Sequence, residues 1–275
     1  MKTEQLKTAK EEYKRIFDSP ASRFISAMWG GHWHLGLFDS LDEPLLKAQM
    51  RANRAMAAPA ALAKGKKVLE VACGVGGTAR FLAREYGVDV VATNIAESQL
   101  AEAREITIAE GLNERIHYEI ADFHELGFQD TSFDCWWCQE AFLYAVDKRK
   151  VIVEALRVVR PGGTLILSDL TLSRDMVGEE RNEFQSAMKT NFSTIEELDE
   201  LTMEMRLDVV ERHDWSRHTI PTFQHLLASL EQIADDYRDT IGSDALDATL
   251  FRVRKQLELA QGGQLGWIFY AISRS

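Results

Sequence analysis

The chain has 275 residues and a formal net charge of -11, from 43 acidic and 32 basic side chains. This length predicts one structural domain with a full hydrophobic core, and the acidic excess argues against nucleic acid as a partner, because phosphate binding needs a basic surface. No run of about 18 apolar residues and no charged-then-apolar leader occurs, so the sequence predicts a cytoplasmic protein without a membrane span.

Residues 1–64 are expected to form a helical cover that carries part of the substrate site. Residues 3–17 combine mixed charge with spaced apolar side chains and favour a helix that ends at Asp18-Ser19-Pro20. An aromatic and glycine-rich stretch over residues 28–38 follows. A helix over residues 43–64, bent at Pro59, then leads into the first strand.

Residues 65–171 alternate between strands and helices, which predicts a mostly parallel, doubly wound α/β sheet. The expected strands cover residues 67–72, 88–93, 115–120, 133–138 and 163–169. The expected helices cover residues 77–86, 97–110 and 147–159. The Pro and Gly residues at 160–163 separate the last helix from the fifth strand.

Residues 172–275 are expected to form a helical insertion on the substrate side, followed by the final strands. Residues 172–204 and 218–260 favour helices, with a strand over 207–213 between them and another over 265–272. A capping box is expected at Ser193 or Thr194, with Glu196 or Glu197 as its acidic partner. These two strands bring the predicted sheet to seven.

The run over residues 68–82 predicts a buried strand, a glycine turn and a helix, the arrangement of a nucleotide-binding unit. A dinucleotide site would need Gly at Ala72 and an acid near Asn94, so a dehydrogenase is disfavoured. Glu70 instead precedes the turn, where a carboxylate can meet a cationic ligand. The run resembles motif I of the class I methyltransferases, whose cofactor S-adenosyl-L-methionine (SAM) carries an amino group and a sulfonium.

This resemblance implies a cofactor site at the carboxyl ends of the first four strands. Glu70 would face the amino group, Asn94 and Ile95 the ribose and adenine, and Asp122 the adenine amino group, unless Asp122 only caps a turn. The cofactor-binding residues expected on this basis are Glu70, Ala72, Gly74, Gly76, Gly77, Asn94, Ile95, Gln99, Asp122, Phe123 and Cys138.

Across nearly its whole length the chain resembles the sarcosine/dimethylglycine N-methyltransferases of glycine betaine synthesis. The segments that carry the resemblance are Trp29-Gly30-Gly31, His34-Leu35-Gly36, Glu70 to Gly77, Asn94-Ile95-Ala96, Gln139 to Leu143, Asp147-Lys148, Arg160 to Gly163 and Leu265-Gly266-Trp267. The family is similar at Asn94, so the resemblance accounts for an amide at this strand end in place of the usual carboxylate. Two departures are His32-Trp33-His34, where the family is more acidic, and Tyr144, where it often has histidine.

The resemblance implies methyl transfer from SAM to a small amine, which leaves S-adenosyl-L-homocysteine (SAH). The Trp-Gly-x-His-x-His segment is also similar to tocopherol methyltransferases and plant alkaloid N-methyltransferases. The alternative is therefore a C- or O-methyltransferase of a larger phenolic, prenylated or alkaloid-type acceptor. A third hypothesis is a SAM-binding sensor that no longer transfers the methyl group.

In-line displacement at a sulfonium needs alignment and an uncharged nucleophile rather than a metal. His34, Tyr144 and Glu140 are candidates for the group that frees the amine of its proton, and Gln139 is expected to face the transferring methyl. The tryptophans Trp29, Trp33 and Trp137 are candidates for binding a methylated ammonium. Arg23, His218 and His225 are candidates for binding a carboxylate. Each of these side chains could instead serve packing.

No metal site is predicted. Cys135 and Cys138 lie three residues apart in one expected strand, which places their side chains on opposite faces. The third cysteine, Cys73, also falls beside a buried strand, so all three are interpreted as small apolar residues in a reducing compartment. His32 and His34 lack a third ligand at metal-site spacing.

Overall fold

The protein's structure, a computed structural model, describes residues 2–18 and 21–275, without the side chains of residues 2–7, 9, 21 and 23. The helices are α1 (Lys2–Phe17), α2 (Ala21–Met28), α3 (Leu45–Ala57), α4 (Gly77–Tyr86), α5 (Glu97–Ala109), α6 (Lys148–Val158), α7 (Gly178–Met188), α8 (Ile195–Glu204), α9 (Thr219–Ile241) and α10 (Ser243–Gln261). The strands are β1 (Lys67–Val71), β2 (Asp89–Asn94), β3 (Ile116–Ile120), β4 (Phe133–Gln139), β5 (Val159–Leu172), β6 (Ser193–Thr194), β7 (Asp208–Asp214) and β8 (Leu265–Ser273).

One sheet runs through the molecule in the order β3-β2-β1-β4-β5-β8-β7. Strand β8 is antiparallel to both of its neighbours, and the other pairs are parallel. This confirms the doubly wound, mostly parallel sheet. The two-residue β6, which pairs with β5, is an eighth strand that the sequence did not predict. Strand order reverses between β1 and β4, and ligands bind at such a switch point.

The N-terminal region differs from the prediction in two places. Helix α2 was not predicted, because its eight residues are too few for a clear period. The helix expected over residues 43–64 is shorter, since α3 ends at Ala57 and Pro59 lies in a 3-10 turn. A proline cannot donate the next helical hydrogen bond and crowds the preceding turn, so it ends this helix rather than bending it. Ser19 and Pro20 lie outside the described residues.

The region after the fifth strand is also more broken than predicted. Strand β5 extends to Leu172 because it pairs with β8 along its length, from Thr164 opposite Ser273 to Leu172 opposite Leu265. The helical segment expected over residues 172–204 divides into α7, β6 and α8. The capping box is confirmed at Thr194, whose side chain accepts a hydrogen bond from the backbone of Glu197.

The core covers both faces of the parallel sheet, and β4 shows the alternation clearly. Trp137 and Cys135 pack on the face covered by α4, while Trp136 and Cys138 pack on the face covered by α6. The three cysteines are buried free thiols. The helices in the described part of the chain include none with the length and hydropathy of a membrane-spanning segment. No group of three His, Cys, Asp or Glu residues there could hold a metal ion.

Candidate active site

A cavity of about 280 Å³ opens at the carboxyl ends of β1, β2 and β4. One part of its wall comes from residues 70–75, 77 and 78 and from the ends of β2 and β3. The opposite part comes from residues 28–35, residues 139–144 and the elements that follow β5. Helix α1 also lines it, through Tyr13, Ile16 and Phe17.

In the glycine turn after β1, three residues with left-handed backbone conformations reverse the chain direction. The φ angles are 53° at Ala72, 56° at Gly74 and 75° at Gly76, and the Gly76 amide donates to the Cys73 carbonyl at 2.9 Å. Ala72 and Gly74 line the cavity. An alanine with positive φ is strained. The turn thus curls backbone around the space where a ligand would lie.

The other two glycines of the turn make room for protein rather than for the cavity alone. A Cβ on Gly76 would lie 2.1 Å from the Tyr118 hydroxyl oxygen. Gly76 does not line the cavity in this structure, and its contact with the cofactor stays a prediction. A Cβ on Gly77 would lie 2.4 Å from the Gly31 carbonyl oxygen, although Gly77 does line the cavity. Gly77 therefore lets the segment after α2 close over the turn.

Glu70 points from β1 into this cavity and is buried. Its Oε2 has no hydrogen-bond partner among the described residues. Burial raises the pKa of Glu70 to about 8, although the nearby Arg80 charge lowers it. A buried, unpaired carboxyl oxygen is costly unless a donor arrives, so this atom suits the ammonium of a ligand.

The Asn94 amide is held by protein partners. Its Oδ1 accepts from the Ile95 amide at 2.8 Å, and its Nδ2 donates to Gln99 Oε1 at 2.6 Å and to the Gly74 carbonyl at 3.4 Å. Gln99 in turn donates to Ser22 Oγ at 3.0 Å. A carboxylate could not donate to a carbonyl, which explains an amide at this strand end. Asn94, Ile95 and Gln99 all line the cavity.

Asp122 does not line the cavity, whereas Phe123 does. Its Oδ1 accepts from the His124 amide at 2.9 Å and from the His124 ring at 2.8 Å, and Lys10 lies 3.5 Å from Oδ2. Burial raises the pKa of Asp122, but the His124 bonds outweigh it and bring the pKa to about 2. Asp122 caps a turn, which is one of the two roles that the sequence left open, and its contact with adenine stays a prediction.

The Gln139 side chain is fixed from three sides. Its Oε1 accepts from Thr78 Oγ1 and from Trp137 Nε1, both at 3.1 Å, and its Nε2 donates to Asn53 Oδ1 at 3.0 Å. Gln139 lines the cavity, but Trp137 and Cys138 do not. Trp137 is fully buried in the core and orients Gln139. Trp137 and Cys138 therefore lie in the core of this structure, and their expected contacts with substrate and cofactor stay predictions.

Glu140 joins three segments that the sequence could not connect. Its Oε1 accepts from Ser168 Oγ at 2.5 Å and from Trp267 Nε1 at 2.8 Å, while its Oε2 accepts from the Leu35 amide at 3.1 Å. Its φ of 46° is unusual for a non-glycine residue. Burial raises the pKa of Glu140 to about 7 despite these donors. The carboxyl lines the cavity and titrates near neutral pH.

His34 lines the cavity and is fully buried. Its Nδ1 is hydrogen-bonded to the Leu35 carbonyl at 2.9 Å and is therefore the protonated nitrogen. Nε2 is then an acceptor, and it has no partner in the described structure. Burial and the neighbouring His32 lower the pKa of His34 to about 3. His34 is thus a neutral hydrogen-bond acceptor at physiological pH.

The aromatic candidates separate into two groups. Trp29, Trp33 and Tyr144 line the cavity, unlike Trp137. Trp33 lies 3.9 Å from the position of a Cβ on Gly74, so it borders the glycine turn. The Tyr144 ring meets Tyr13 and Phe17 edge-on, with centroids 5.2 and 5.4 Å apart.

The histidines proposed to bind a carboxylate have structural partners instead. His218 Nδ1 accepts from the Phe38 amide at 3.0 Å. His225 Nε2 lies 3.1 Å from the Leu41 carbonyl, and its ring stacks on Phe38. Both histidines fix the loop after residue 37 and lie outside the cavity lining, so the structure does not bring them to the site. The Arg23 side chain lies outside the described part.

The C-terminal helix contributes site residues that sequence reasoning missed. Thr249, Arg252, Val253 and Gln256 line the cavity. Their spacing of three and four residues places them on one face of α10. An arginine on the face that also carries the buried Val253 was the signal that could have indicated them.

Known proteins that are similar to this chain over most of its length are methyltransferases. A family model described as a methyltransferase domain matches residues 69–167. A glycine/sarcosine/dimethylglycine N-methyltransferase of Actinopolyspora halophila is 29% identical over 94% of this chain, which spans only 46% of that protein. Methyltransferase GfsG of Streptomyces halstedii is 31% identical over 77% of this chain and 78% of its own length.

The fold also matches a solved structure closely. The structure, from Galdieria sulphuraria, is provisionally named a sarcosine dimethylglycine methyltransferase. It superposes with a TM-score of 0.84 at 24% identity, over 94% of this chain and 99% of the other. At this identity the similarity establishes the class I fold, including the cover formed by the N-terminal helices and the elements after β5.

Proposed function

Because the chain belongs to the methyltransferase family, we propose that it transfers a methyl group from SAM to the nitrogen of a small amine. Sarcosine and dimethylglycine are the first acceptors to test, with betaine as the final product. The relatives named for these acceptors, matched at 26–33% identity, support this choice. We further propose that the enzyme is cytoplasmic, that residues 65–171 hold the cofactor and that the flanking regions shape the acceptor site.

The residues at the ends of β1 and β2 fit SAM. Bound there, SAM supplies an activated methyl group on a positively charged sulfur. Glu70 offers an unpaired oxygen to the ammonium, the open side of Gly74 admits a close ligand, and Phe123 provides an apolar wall. Ala72, Gly77, Asn94, Ile95 and Gln99 complete this part of the site. Gln139 and its neighbours shape the junction with the acceptor.

The observation that carries the proposal is Glu140. A methylated amino acid is an ammonium ion near neutral pH, and it must lose its proton before its nitrogen can attack. Glu140 is a half-buried residue in the cavity wall, and three donors fix the position of its carboxyl. Its pKa of about 7 allows it to be ionised before the acceptor binds and to take up a proton afterwards.

The proposed reaction has two steps, a proton transfer and a methyl transfer. The ammonium proton moves to a Glu140 oxygen, which leaves a lone pair on the acceptor nitrogen. That lone pair forms the new N–C bond as the bond from the methyl carbon to sulfur breaks, and SAH is the second product. Trp29 and Trp33 provide aromatic faces for the developing ammonium charge, worth about 0.5 to 2 kcal/mol each. His34, with its pKa near 3, orients the acceptor through Nε2 rather than holding the proton.

A direct assay tests the proposal against the larger-acceptor alternative, which relatives named tocopherol O-methyltransferases represent. Purified protein is incubated with methyl-labelled SAM and with sarcosine, dimethylglycine or γ-tocopherol, and the products are analysed by mass spectrometry. We expect two methyl groups on sarcosine and one on dimethylglycine. Label on γ-tocopherol alone would support the alternative, and SAM binding without any transfer would support a sensor.

A further inference from the structure

The charges around the cavity are unevenly matched. Among its described lining residues the carboxyls are Glu70 and Glu140, and the cations are Lys189 and Arg252. Lys189 Nζ lies 3.4 Å from Glu12 and is half exposed, so it has an anionic partner outside the cavity. Arg252 has no hydrogen-bonding or ion-pair partner in the described chain. It is the cation of the wall that is free to bind a ligand.

Arg252 and the next arginine lie on different sides of α10. The next arginine, Arg254, lies on the exposed side of the helix and pairs with Glu231 at 3.1 Å. Arg252 instead shares its face with Thr249 and Val253, which are buried. A partly buried guanidinium is costly when it lacks an anion, because its five donors are poorly hydrated there. The site is therefore preorganised for an anionic group.

Tyr144 adds a neutral donor beside this charge. Its ring is fixed by Tyr13 and Phe17, and its hydroxyl has no hydrogen-bond partner within the described residues. Burial raises the pKa of Tyr144, and the Arg252 charge partly offsets this effect, which places the guanidinium within electrostatic range of the phenol. Tyr144 thus remains a protonated donor at neutral pH.

We propose that Arg252 and the Tyr144 hydroxyl bind the carboxylate of the methyl acceptor, while Glu140 faces its amine. This inference rests on the proposed function and narrows it to small amino acids that carry both groups. The guanidinium fork matches the two oxygens of a carboxylate. An acceptor without an anion would leave Arg252 unpaired and would bind less well.

The test compares dimethylglycine with dimethylaminoethanol, in which a hydroxymethyl group replaces the carboxylate. In Arg252→Ala, the ratio of kcat/KM for dimethylglycine to that for dimethylaminoethanol should fall about 10- to 100-fold, mainly through KM. Arg252→Lys should recover part of the loss, because it keeps the charge but not the fork. Arg254→Ala, from the exposed side of α10, should leave the ratio unchanged. An unchanged ratio in Arg252→Ala would overturn the inference.

Calorimetry separates this inference from the proposed function. Dimethylglycine is titrated into protein saturated with SAH, and SAH affinity with thermal melting verifies that each variant is folded. We expect Arg252→Ala to weaken dimethylglycine binding by a similar factor and Tyr144→Phe by less. Equal affinity in wild type and Arg252→Ala would contradict the inference. Arginine-dependent binding with no methyl transfer would support the inference and contradict only the proposed function.

Discussion

The two sides of the cavity are assembled in different ways. The cofactor side comes largely from residues 70–99, a continuous stretch of strand, turn and helix in which backbone forms much of the wall. The acceptor side comes from segments far apart in sequence, around residues 29–35, 139–144, 188–192 and 249–256. One continuous stretch tolerates amino-acid substitutions only within narrow limits. A wall made of separate segments can be altered by substitutions in one segment at a time.

Each side contains one carboxyl, buried at Glu70 and half-buried at Glu140, and their surroundings differ. Glu70 has an unpaired oxygen and a pKa of about 8, whereas Glu140 has three protein donors and a pKa of about 7. The first is incomplete without a ligand cation. The second is already fixed in place and needs only a proton. We interpret this difference as a division between binding the cofactor and activating the acceptor.

The largest expected effect is on turnover in Glu140→Gln. Loss of the proton acceptor should reduce kcat about 100- to 10,000-fold. In the wild type, kcat/KM should rise with pH with a midpoint near pH 7 and level off above it, because Glu140 must be ionised to accept a proton. Ser168→Ala removes a donor to the carboxylate and should move that rise to higher pH. A pH profile that is the same in all three proteins would contradict the role of Glu140.

Glu70→Gln should change the pH dependence of stability before any ligand is added. The pKa of Glu70 is raised from 4.5 to about 8, so between those values the folded protein holds a proton that the unfolded chain has lost. Its contribution to stability therefore falls as pH rises through this range. Glu70→Gln should be more stable than the wild type at pH 8, by about 2 to 4 kcal/mol, and similar at pH 5.

Urea unfolding at the two pH values measures this difference. Glu105→Gln, at an exposed site on α5, is the matched control and should behave as the wild type. Identical pH dependence in Glu70→Gln and wild type would show that Glu70 is not the buried group described.

A smaller effect distinguishes the two kinds of glycine in the turn. Gly76→Ala should cost about 1 to 3 kcal/mol of stability, because the new Cβ collides with the Tyr118 hydroxyl. Adding Tyr118→Phe should recover part of that loss in a double-mutant cycle. Gly74→Ala meets no atom closer than 3.9 Å, so it should cost only the smaller strain of a non-glycine residue at a φ of 56°, and it should also weaken SAM binding. Additive effects of Gly76→Ala and Tyr118→Phe would contradict this packing explanation.

The sequence predicted the strands and turns of the cofactor side well because their signals are local. Hydrophobic runs and glycine turns located β1, β2 and β4, and the capping box at Thr194 follows from four consecutive residues. The sequence could not show that the Tyr118 hydroxyl occupies the space beside Gly76, because these two residues are 42 positions apart. The same local view could not show that Asp122 and Trp137 have partners within the protein.

The acceptor side was recognised as a set of segments but not as a site. Leu35, Ser168 and Trp267 meet at Glu140 only because β8 inserts antiparallel beside β5 and residues 29–38 fold back over β4. Arg252 lies in a helix whose placement depends on packing against α9. Such long-range contacts leave no periodic pattern in a single sequence.

The division between Glu70 and Glu140 is tested most directly by calorimetry on Glu70→Gln and Glu140→Gln, each titrated with SAM alone and then with dimethylglycine in saturating SAH. Glu70→Gln should bind SAM about 10- to 100-fold more weakly and, once saturated with SAH, bind dimethylglycine as the wild type does. Glu140→Gln should bind SAM normally and dimethylglycine weakly. Loss of both ligands in both variants, or the reverse assignment, would contradict the account.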